Sequence, residues 1–245
     1  MGHLSIEEAG RPSYLADYLD DVADVAPAAA QMQYVVLSGT FTMLTLQGHF
    51  DVSLMAPVPR PERGPGDQRA LSPSQRGQFY DLIVSRQLKS GYFRVLVLTM
   101  LGTGIRPGEA LAVRWDDIAG LEDSSVENAI MHVSGTVVKL RLYGTRTFRQ
   151  NKRKHRKEGF GYYIALPRWL TAELREWKSH CSPTSDELPV FMSNRGSVIA
   201  PCTAHRVLSR VRGGTELSWV KFGNLRDTVA THVAGTTGDA RRASA

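Results

Sequence analysis

The sequence has few of the residues that build disulfide, metal or membrane-spanning structures. Its two cysteines, Cys181 and Cys202, have no Cys-x-x-Cys partner, and no cysteine–histidine group has metal-site spacing. No apolar run approaches the roughly 18 residues that a membrane span needs, and residues 1–30 lack a signal-peptide pattern. These absences argue against a zinc site and a membrane anchor. They favour a reduced, cytoplasmic compartment and indicate no metal, cofactor or small-molecule ligand.

Acidic residues are absent from residues 139–157, which are also the most basic part of the chain. The nine basic residues there are Lys139, Arg141, Arg146, Arg149, Lys152, Arg153, Lys154, Arg156 and Lys157. The other 21 Lys and Arg face all 24 Asp and Glu, so the rest of the chain has a net charge of −3. Positive charge concentrated on one element is typical of a surface that binds phosphate backbones. A solvated basic hairpin, a nuclear-localisation-like run or an RNA-binding patch would show the same pattern.

A buried apolar helix over Phe93–Leu101 is predicted to end at a glycine stop, and a second helix to start at Pro107. Arg106 stands directly in front of that second helix, and Glu109 lies in its first turn, where a carboxylate suits the helix dipole. Free backbone N–H groups, a positive dipole end and a guanidinium together suit a phosphate. A surface arginine at an ordinary helix corner would have the same spacing.

The letters of this corner, T-G-I-R-P-G-E-A-L-A-V-R-W-D-D-I (residues 103–118), carry a family resemblance. They resemble the first conserved box of the tyrosine recombinases, the phage-integrase family, which typically reads T-G-x-R-x-x-E-x-x-x-L-x-W-x-D. The resemblance extends over roughly Val35 to His232 and looks closest to integrases of actinobacteria and their phages. It implies that Arg106 grips the scissile phosphate and that Glu109 supports the site from behind.

Residues 219–232, W-V-K-F-G-N-L-R-D-T-V-A-T-H, resemble the second conserved box of the family, usually H-x-L-R-H-T-x-A-T. Arg226 matches the second arginine that grips the phosphate. Two positions depart from the pattern. Gly223 stands where the box has a histidine, and Asp227 stands where His or Lys is common. A glycine cannot handle a proton, so the resemblance carries no histidine into this site.

From Ile130 the apolar residues recur with a period of two, which predicts a small antiparallel sheet with the basic run projecting from it. In the family such a hairpin delivers the catalytic lysine into the minor groove. The best register gives this role to Lys154, while Lys152 and Lys157 remain candidates. The other residues that the resemblance places on DNA are Lys139, Arg141, Arg146, Arg149, Lys152, Arg153, His155, Arg156 and Lys157.

The family's nucleophilic tyrosine follows a G-H-x-x-x-x-T motif, and neither is found here. None of the eight tyrosines follows Tyr163. Tyr162 and Tyr163 alternate across a predicted strand, which indicates cross-strand packing and not a nucleophile. The resemblance therefore predicts a C-terminally truncated or degenerate recombinase with two arginines and a lysine but no nucleophile.

The predicted fold is α+β, mainly α with a small antiparallel sheet. Residues 1–56 are expected to form a partial helical core-binding domain that clamps DNA, and residues 57–70 a Pro- and Gly-rich linker. Residues 71–232 are expected to form an integrase-type catalytic domain that is incomplete at its C-terminal end, followed by a disordered tail over 233–245.

Two functions fit this sequence. The first is a site-specific recombinase that binds double-stranded DNA and, by family resemblance, assembles on it as a homotetramer. The second is a catalytically inactive, integrase-like protein that acts as a regulator or decoy at recombination sites. Turnover would separate them.

Overall fold

A computed structural model describes residues 8, 10–62, 69–86, 91–140, 145–151 and 161–239. The chain forms two compact units, Met1–Asp67 and Gln68–Ala245, which are called unit 1 and unit 2 below. None of the described helices combines the length and the apolar content that a bilayer span requires. The candidate site lies in unit 2.

Unit 1 is built on two helices, α1 (Pro12–Val25) and α2 (Pro27–Leu46), each of which starts at a proline. Both helices lie within residues 1–56, where the sequence predicts a helical domain. The first residues of the predicted linker pack against unit 1. Val58 is apolar and is buried in the core of unit 1. The carbonyl oxygen of Pro61 accepts a 2.9 Å hydrogen bond from Gln31 Nε2. Residues 63–68 of that linker lie outside the described residues.

Unit 2 is organised around α4, a helix that is apolar on nearly every side and therefore buried. Eight of its residues are buried, and it packs against α6 and α8. This helix is the buried element that the sequence predicts over Phe93–Leu101. The helices of unit 2 are α3 (Pro73–Ser85), α4 (Tyr92–Thr103), α5 (Pro107–Ala110), α6 (Arg168–Cys181), α7 (Pro201–Arg212) and α8 (Phe222–Thr237).

The strands of unit 2 form two antiparallel sheets, where the sequence predicts one. The first has three strands in the order β1 (Ile118–Ala119), β2 (Ile130–Val133) and β5 (Tyr162–Ala165). The second is a hairpin of β3 (Thr136–Leu140) and β4 (Arg146–Gln150). Strand β4 was not predicted, because its two arginines make it read as part of the basic loop. The architecture is mainly α with small antiparallel sheets, and the predicted fold class is confirmed.

Helix α8 continues to Thr237, so the predicted tail is wrong for residues 233–237. The hydroxyls of Thr236 and Thr237 donate hydrogen bonds of 2.8 and 2.7 Å to the carbonyl oxygens of His232 and Val233, one turn earlier. Both hydroxyls therefore have their hydrogen-bond partners within the helix. Gly238 then ends the helix with a φ of 68°, in the left-handed region that glycine adopts freely. Residues 240–245 of that predicted tail lie outside the described residues.

Candidate functional site

Arg106 occupies the N-terminus of α5, at the corner that the sequence predicts for a phosphate ligand. Its backbone N–H donates to Glu109 Oε2 at 3.0 Å, and its guanidinium Nη1 lies 3.4 Å from Glu109 Oε1. The Glu109 side chain is 2% exposed, whereas that of Arg106 is 52% exposed. The buried carboxylate therefore holds the arginine from behind and leaves half of its surface free for an anion.

Arg226 reaches the same corner from α8. Its Nη1 donates a 2.8 Å hydrogen bond to the carbonyl oxygen of Gly104. Gly104 ends α4 with a φ of 69° and packs so closely on α8 that an added Cβ would lie 3.3 Å from the Val229 side chain. Arg226 is thus hydrogen-bonded to the short peptide, residues 104–106, that also carries Arg106.

The start of α8 is fixed by buried polar side chains that sequence reasoning missed. Asn224 accepts the backbone N–H of Lys221 at 2.8 Å and donates through Nδ2 to the carbonyl oxygen of Arg69 at 2.9 Å. Thr228 accepts the backbone N–H of Leu71 at 2.8 Å. Asn at the third helical position was the available signal, since an amide there commonly caps a helix. These bonds fix the helix that carries Arg226.

A cavity of about 330 Å³ opens beside Arg226. Its walls come from the end of α4, strand β5 and one face of α8, including Gly104, Tyr163 and Val229. The guanidinium of Arg226 therefore borders a concave surface, at the end where it also bonds the Gly104 carbonyl. Such a concave, partly apolar setting strengthens the interaction between a guanidinium and an anion.

The β3–β4 hairpin is packed directly against the helix that Arg106 begins. An added Cβ at Gly108 would lie 2.7 Å from Thr136 Oγ1 and 3.2 Å from the carbonyl oxygen of Val137, so only a glycine permits this approach. Lys139 and Arg146 are exposed on β3 and β4. Their predicted contact with a phosphate backbone stays a prediction.

Arg149 does not fit the predicted role of a DNA contact. Its side chain is 13% exposed. Nε donates to the carbonyl oxygen of Ala112 at 2.9 Å, and Nη2 to Ser134 Oγ at 3.0 Å. Nη2 also lies 3.4 Å from Asp117 Oδ2. This guanidinium is occupied inside the protein because the strand turns it toward α5 and away from solvent.

Most of the basic run falls outside the described residues. The predicted lysine Lys154, its alternatives and the rest of the predicted DNA-binding set belong to this part of the chain, so their roles stay predictions. These residues are Arg141, Lys152, Arg153, Lys154, His155, Arg156 and Lys157.

Tyr163 packs across the sheet, as the sequence predicts. It pairs in register with His132, and the two rings stack with centroids 4.6 Å apart. Its side chain is nevertheless 72% exposed at the rim of the cavity. At the position of the missing box histidine, Gly223 is exposed, and an added Cβ would have no atom within 4 Å.

Burial shifts the pKa values of His205 and Cys181 in unit 2. The ring of His205 packs edge-on against Phe222, the first residue of α8, with centroids 4.9 Å apart. Burial lowers the pKa of His205, and the positive charge of Arg212 lowers it further. Burial raises the pKa of the Cys181 thiol. Within the described ranges, no group of three His, Cys, Asp or Glu residues is placed to hold a metal ion.

The fold is similar to that of integrases whose structures were solved on DNA. The Tn1549 transposon integrase in complex with circular intermediate DNA matches 96% of this chain and 76% of its own, with a TM-score of 0.69 and 12% identity. A lambda integrase dimer bound to a COC′ core site matches 96% of this chain and 77% of its own, with a TM-score of 0.61 and 17% identity. A lambda integrase tetramer bound to a Holliday junction gives a TM-score of 0.59 at 17% identity, over 96% of this chain and 62% of its own.

No family model and no curated protein matches the sequence. Identities of 11 to 17% show the fold alone. That fold is the α+β architecture of the integrases described above.

Proposed function

We propose that this chain is a site-specific DNA recombinase or integrase of the tyrosine class by descent, of the kind found in actinobacteria and their phages. The observation that carries the proposal is the 2.8 Å hydrogen bond that holds Arg226 on the peptide leading into Arg106. In this proposal Arg106 and Arg226, connected through that peptide in a basic protein, bind a single phosphate. The integrase fold supports the same function.

The chemistry that the resemblance implies is an attack on a DNA phosphate, with the two arginines stabilising the added negative charge of the transition state. A lysine, Lys154 in our assignment, would protonate the departing 5′-oxygen. No tyrosine follows Tyr163 in the 245 residues. For these residues we therefore propose duplex binding and phosphate stabilisation, with strand cleavage dependent on a nucleophile supplied from elsewhere.

The wider arrangement is also part of the proposal. Unit 1 would act as a partial DNA-clamping domain and unit 2 as the catalytic domain, and copies of the chain would assemble on DNA, as a tetramer by family resemblance. The neighbours solved as a dimer and as a tetramer on DNA support this arrangement. Recombination of cellular or phage DNA would place the protein in the cytoplasm.

A duplex titration tests the phosphate site. Binding of a labelled duplex is followed by fluorescence anisotropy from low to moderate salt, for the wild type and for R106A/R226A. We expect the double variant to bind about tenfold more weakly at moderate salt, since it lacks two charge-assisted hydrogen-bonding groups. The matched control, R168A/R195A, removes the same charge from two exposed surface positions and should lose far less affinity. Equal losses of affinity in the two double variants would reject the pocket.

A second candidate function is favoured by one specific feature, Gly223 at the position of the box histidine, because glycine has no side chain to transfer a proton. On this alternative the protein is an inactive regulator or decoy that occupies recombination sites. The chain is mixed with a tyrosine-containing relative and a nicked duplex, and covalent protein–DNA adducts are counted on a denaturing gel. Adducts that increase with this chain support the recombinase, whereas adducts that fall as sites are occupied support the decoy.

A further inference from the structure

Arg149 is a basic residue of the hairpin whose guanidinium is bonded to partners within the protein. Its guanidinium donates to the Ala112 carbonyl, to Ser134 Oγ and to Asn151 Oδ1, and lies 3.4 Å from Asp117 Oδ2. Because every side of this group has a protein partner, a DNA phosphate could reach it only by displacing them. Its contribution to DNA binding has to be indirect.

Asp117 is the acidic partner and belongs to the same sequence box as Arg106. Its side chain is 12% exposed. Oδ2 also accepts the backbone N–H of Arg114 at 3.0 Å, and Oδ1 lies 3.8 Å from His132 Nδ1. The carboxylate thus ties the turn after α5 to strand β4, across 32 residues of sequence. A charge-assisted interaction with little solvent exposure is stronger than a surface ion pair.

The local backbone makes room for this pair. An added Cβ at Gly135 would lie 2.8 Å from Arg149 Cζ and 2.9 Å from Arg149 Nε. Only glycine lets the guanidinium pass beneath that turn. Arg149 is also paired with Val137 in the β3–β4 ladder, so holding its side chain holds the end of the hairpin.

We propose that Arg149 is a positioning residue and that its pair with Asp117 acts as a clasp. The clasp fixes strand β4 against the segment that follows α5. The inference rests on the proposed function in one respect, namely that this basic hairpin meets DNA. The clasp itself is a property of the free protein.

Substitution of Asp117 separates this role from a direct phosphate contact, because the two predict opposite signs. D117N makes the protein one unit more positive, so charge alone predicts equal or tighter duplex binding. The clasp predicts weaker binding, because Arg149 loses its partner and β4 loosens. The matched control is D116N, which makes the same charge change at the exposed neighbouring residue.

The experiment measures wild type, D117N, R149Q, the double variant D117N/R149Q and D116N. Duplex affinity comes from salt-dependent anisotropy, and the mobility of β4 from backbone hydrogen exchange of the free proteins. We expect D117N and R149Q each to bind about tenfold more weakly and the double variant to bind no more weakly than the worse single one. Exchange in β4 should accelerate while exchange in α4 stays slow. D116N should behave as wild type.

The clasp is overturned if D117N binds at least as tightly as D116N, or if exchange in β4 is unchanged in both single variants. A salt slope that falls by about one in R149Q alone, with D117N unaffected, would make Arg149 a direct phosphate ligand instead. If D117N proves globally unstable, as faster exchange in α4 would show, R149Q decides, because it removes the other member of the pair. Unchanged exchange in β4 of R149Q would then reject the clasp.

The proposed function and the clasp can be rejected independently of each other. A wild-type protein that binds no duplex would remove the proposed function, whereas hydrogen exchange would still report whether Asp117 holds β4. A wild type that binds duplex through Arg106 and Arg226, together with D117N of undiminished affinity, would remove only the clasp.

Discussion

Arg226 Nη1 and the carbonyl oxygen of Gly104 are 2.8 Å apart, and this hydrogen bond joins the two halves of the candidate site. Gly104 precedes Arg106 by two residues, so one short peptide carries one arginine and receives the other. The position of either guanidinium therefore depends on the backbone at residue 104 as well as on its own helix. Variants that leave both arginines in place but shift that backbone should still impair DNA binding.

The first prediction concerns G104A. A Cβ at a φ of 69° costs roughly 1–2 kcal/mol of stability, and here it would also press on Val229 at 3.3 Å. We expect a lower Tm and a weaker affinity for duplex DNA. The control is G238A, at a φ of 68° with nothing within 4 Å of an added Cβ. It should lose stability through backbone strain only, and an equal loss of DNA affinity in both variants would contradict the shared-peptide arrangement.

The second prediction concerns Glu109, whose buried carboxylate holds Arg106. E109A leaves the Arg106 backbone N–H without its acceptor, which costs about 1–3 kcal/mol of unfolding free energy. E109Q keeps one acceptor oxygen and should cost less. Duplex affinity should fall in both variants despite the added positive charge, because the guanidinium loses its orientation. E127Q, at an exposed glutamate that pairs with Arg168 on the surface, is the control. Tighter binding by E109Q than by E127Q would show that Glu109 does not orient Arg106.

The parts of the fold that the sequence predicted are those set by local patterns. The apolar run of α4 predicts a buried helix, and the proline at residue 107 predicts the next helix start. Ser72 and Gln75 have the sequence spacing of a capping box, and they form one with hydrogen bonds of 3.0 and 3.2 Å. Each of these features depends on residues a few positions apart, so one window of sequence contains all the information.

The parts that the sequence did not predict depend on distant partners. The charge of Arg149 predicts a DNA contact. Its hydrogen bond to the Ala112 carbonyl joins residues 37 positions apart, so no local pattern indicates it. The amide of Asn224 bonds the carbonyl of Arg69 across 155 residues. A basic side chain looks the same in sequence whether it faces solvent or a buried carboxylate, because burial is decided by the tertiary fold. Strand β4 was not predicted for the same reason, since its pairing with β3 is not visible in its basic sequence.

The third prediction concerns the exposed cations of the hairpin, Lys139 and Arg146. K139Q/R146Q should weaken binding to duplexes of any sequence and reduce the slope of log affinity against log salt by up to about 2, since each cation that meets a phosphate adds about one to that slope. R168Q/R195Q removes the same charge elsewhere on unit 2 and should leave the slope nearly unchanged. A slope unaltered in K139Q/R146Q would show that this end of the hairpin does not touch the phosphate backbone.

The fourth prediction is a pH dependence of stability that originates at His205. Burial, and then the charge of Arg212, lower the pKa of His205 in the folded protein below its ordinary value of 6.5. Below that pH the unfolded chain binds the proton more readily than the folded chain does, so the free energy of unfolding falls as the pH decreases. The contribution of His205 is therefore fully present above pH 6.5 and is lost progressively below it. The ring lies against Phe222, so this loss should loosen the start of α8.

Urea unfolding at pH 7.5, 6.5 and 5.5, followed by tryptophan fluorescence, measures this effect. All four tryptophans, Trp115, Trp169, Trp177 and Trp219, lie in unit 2, so the signal reports the unit that contains the site. H205Q cannot take up the proton and should lose less stability than wild type between pH 7.5 and 5.5. If wild type and H205Q lose stability in parallel, the proton is taken up elsewhere, and protonation of His205 does not loosen the helix that carries Arg226.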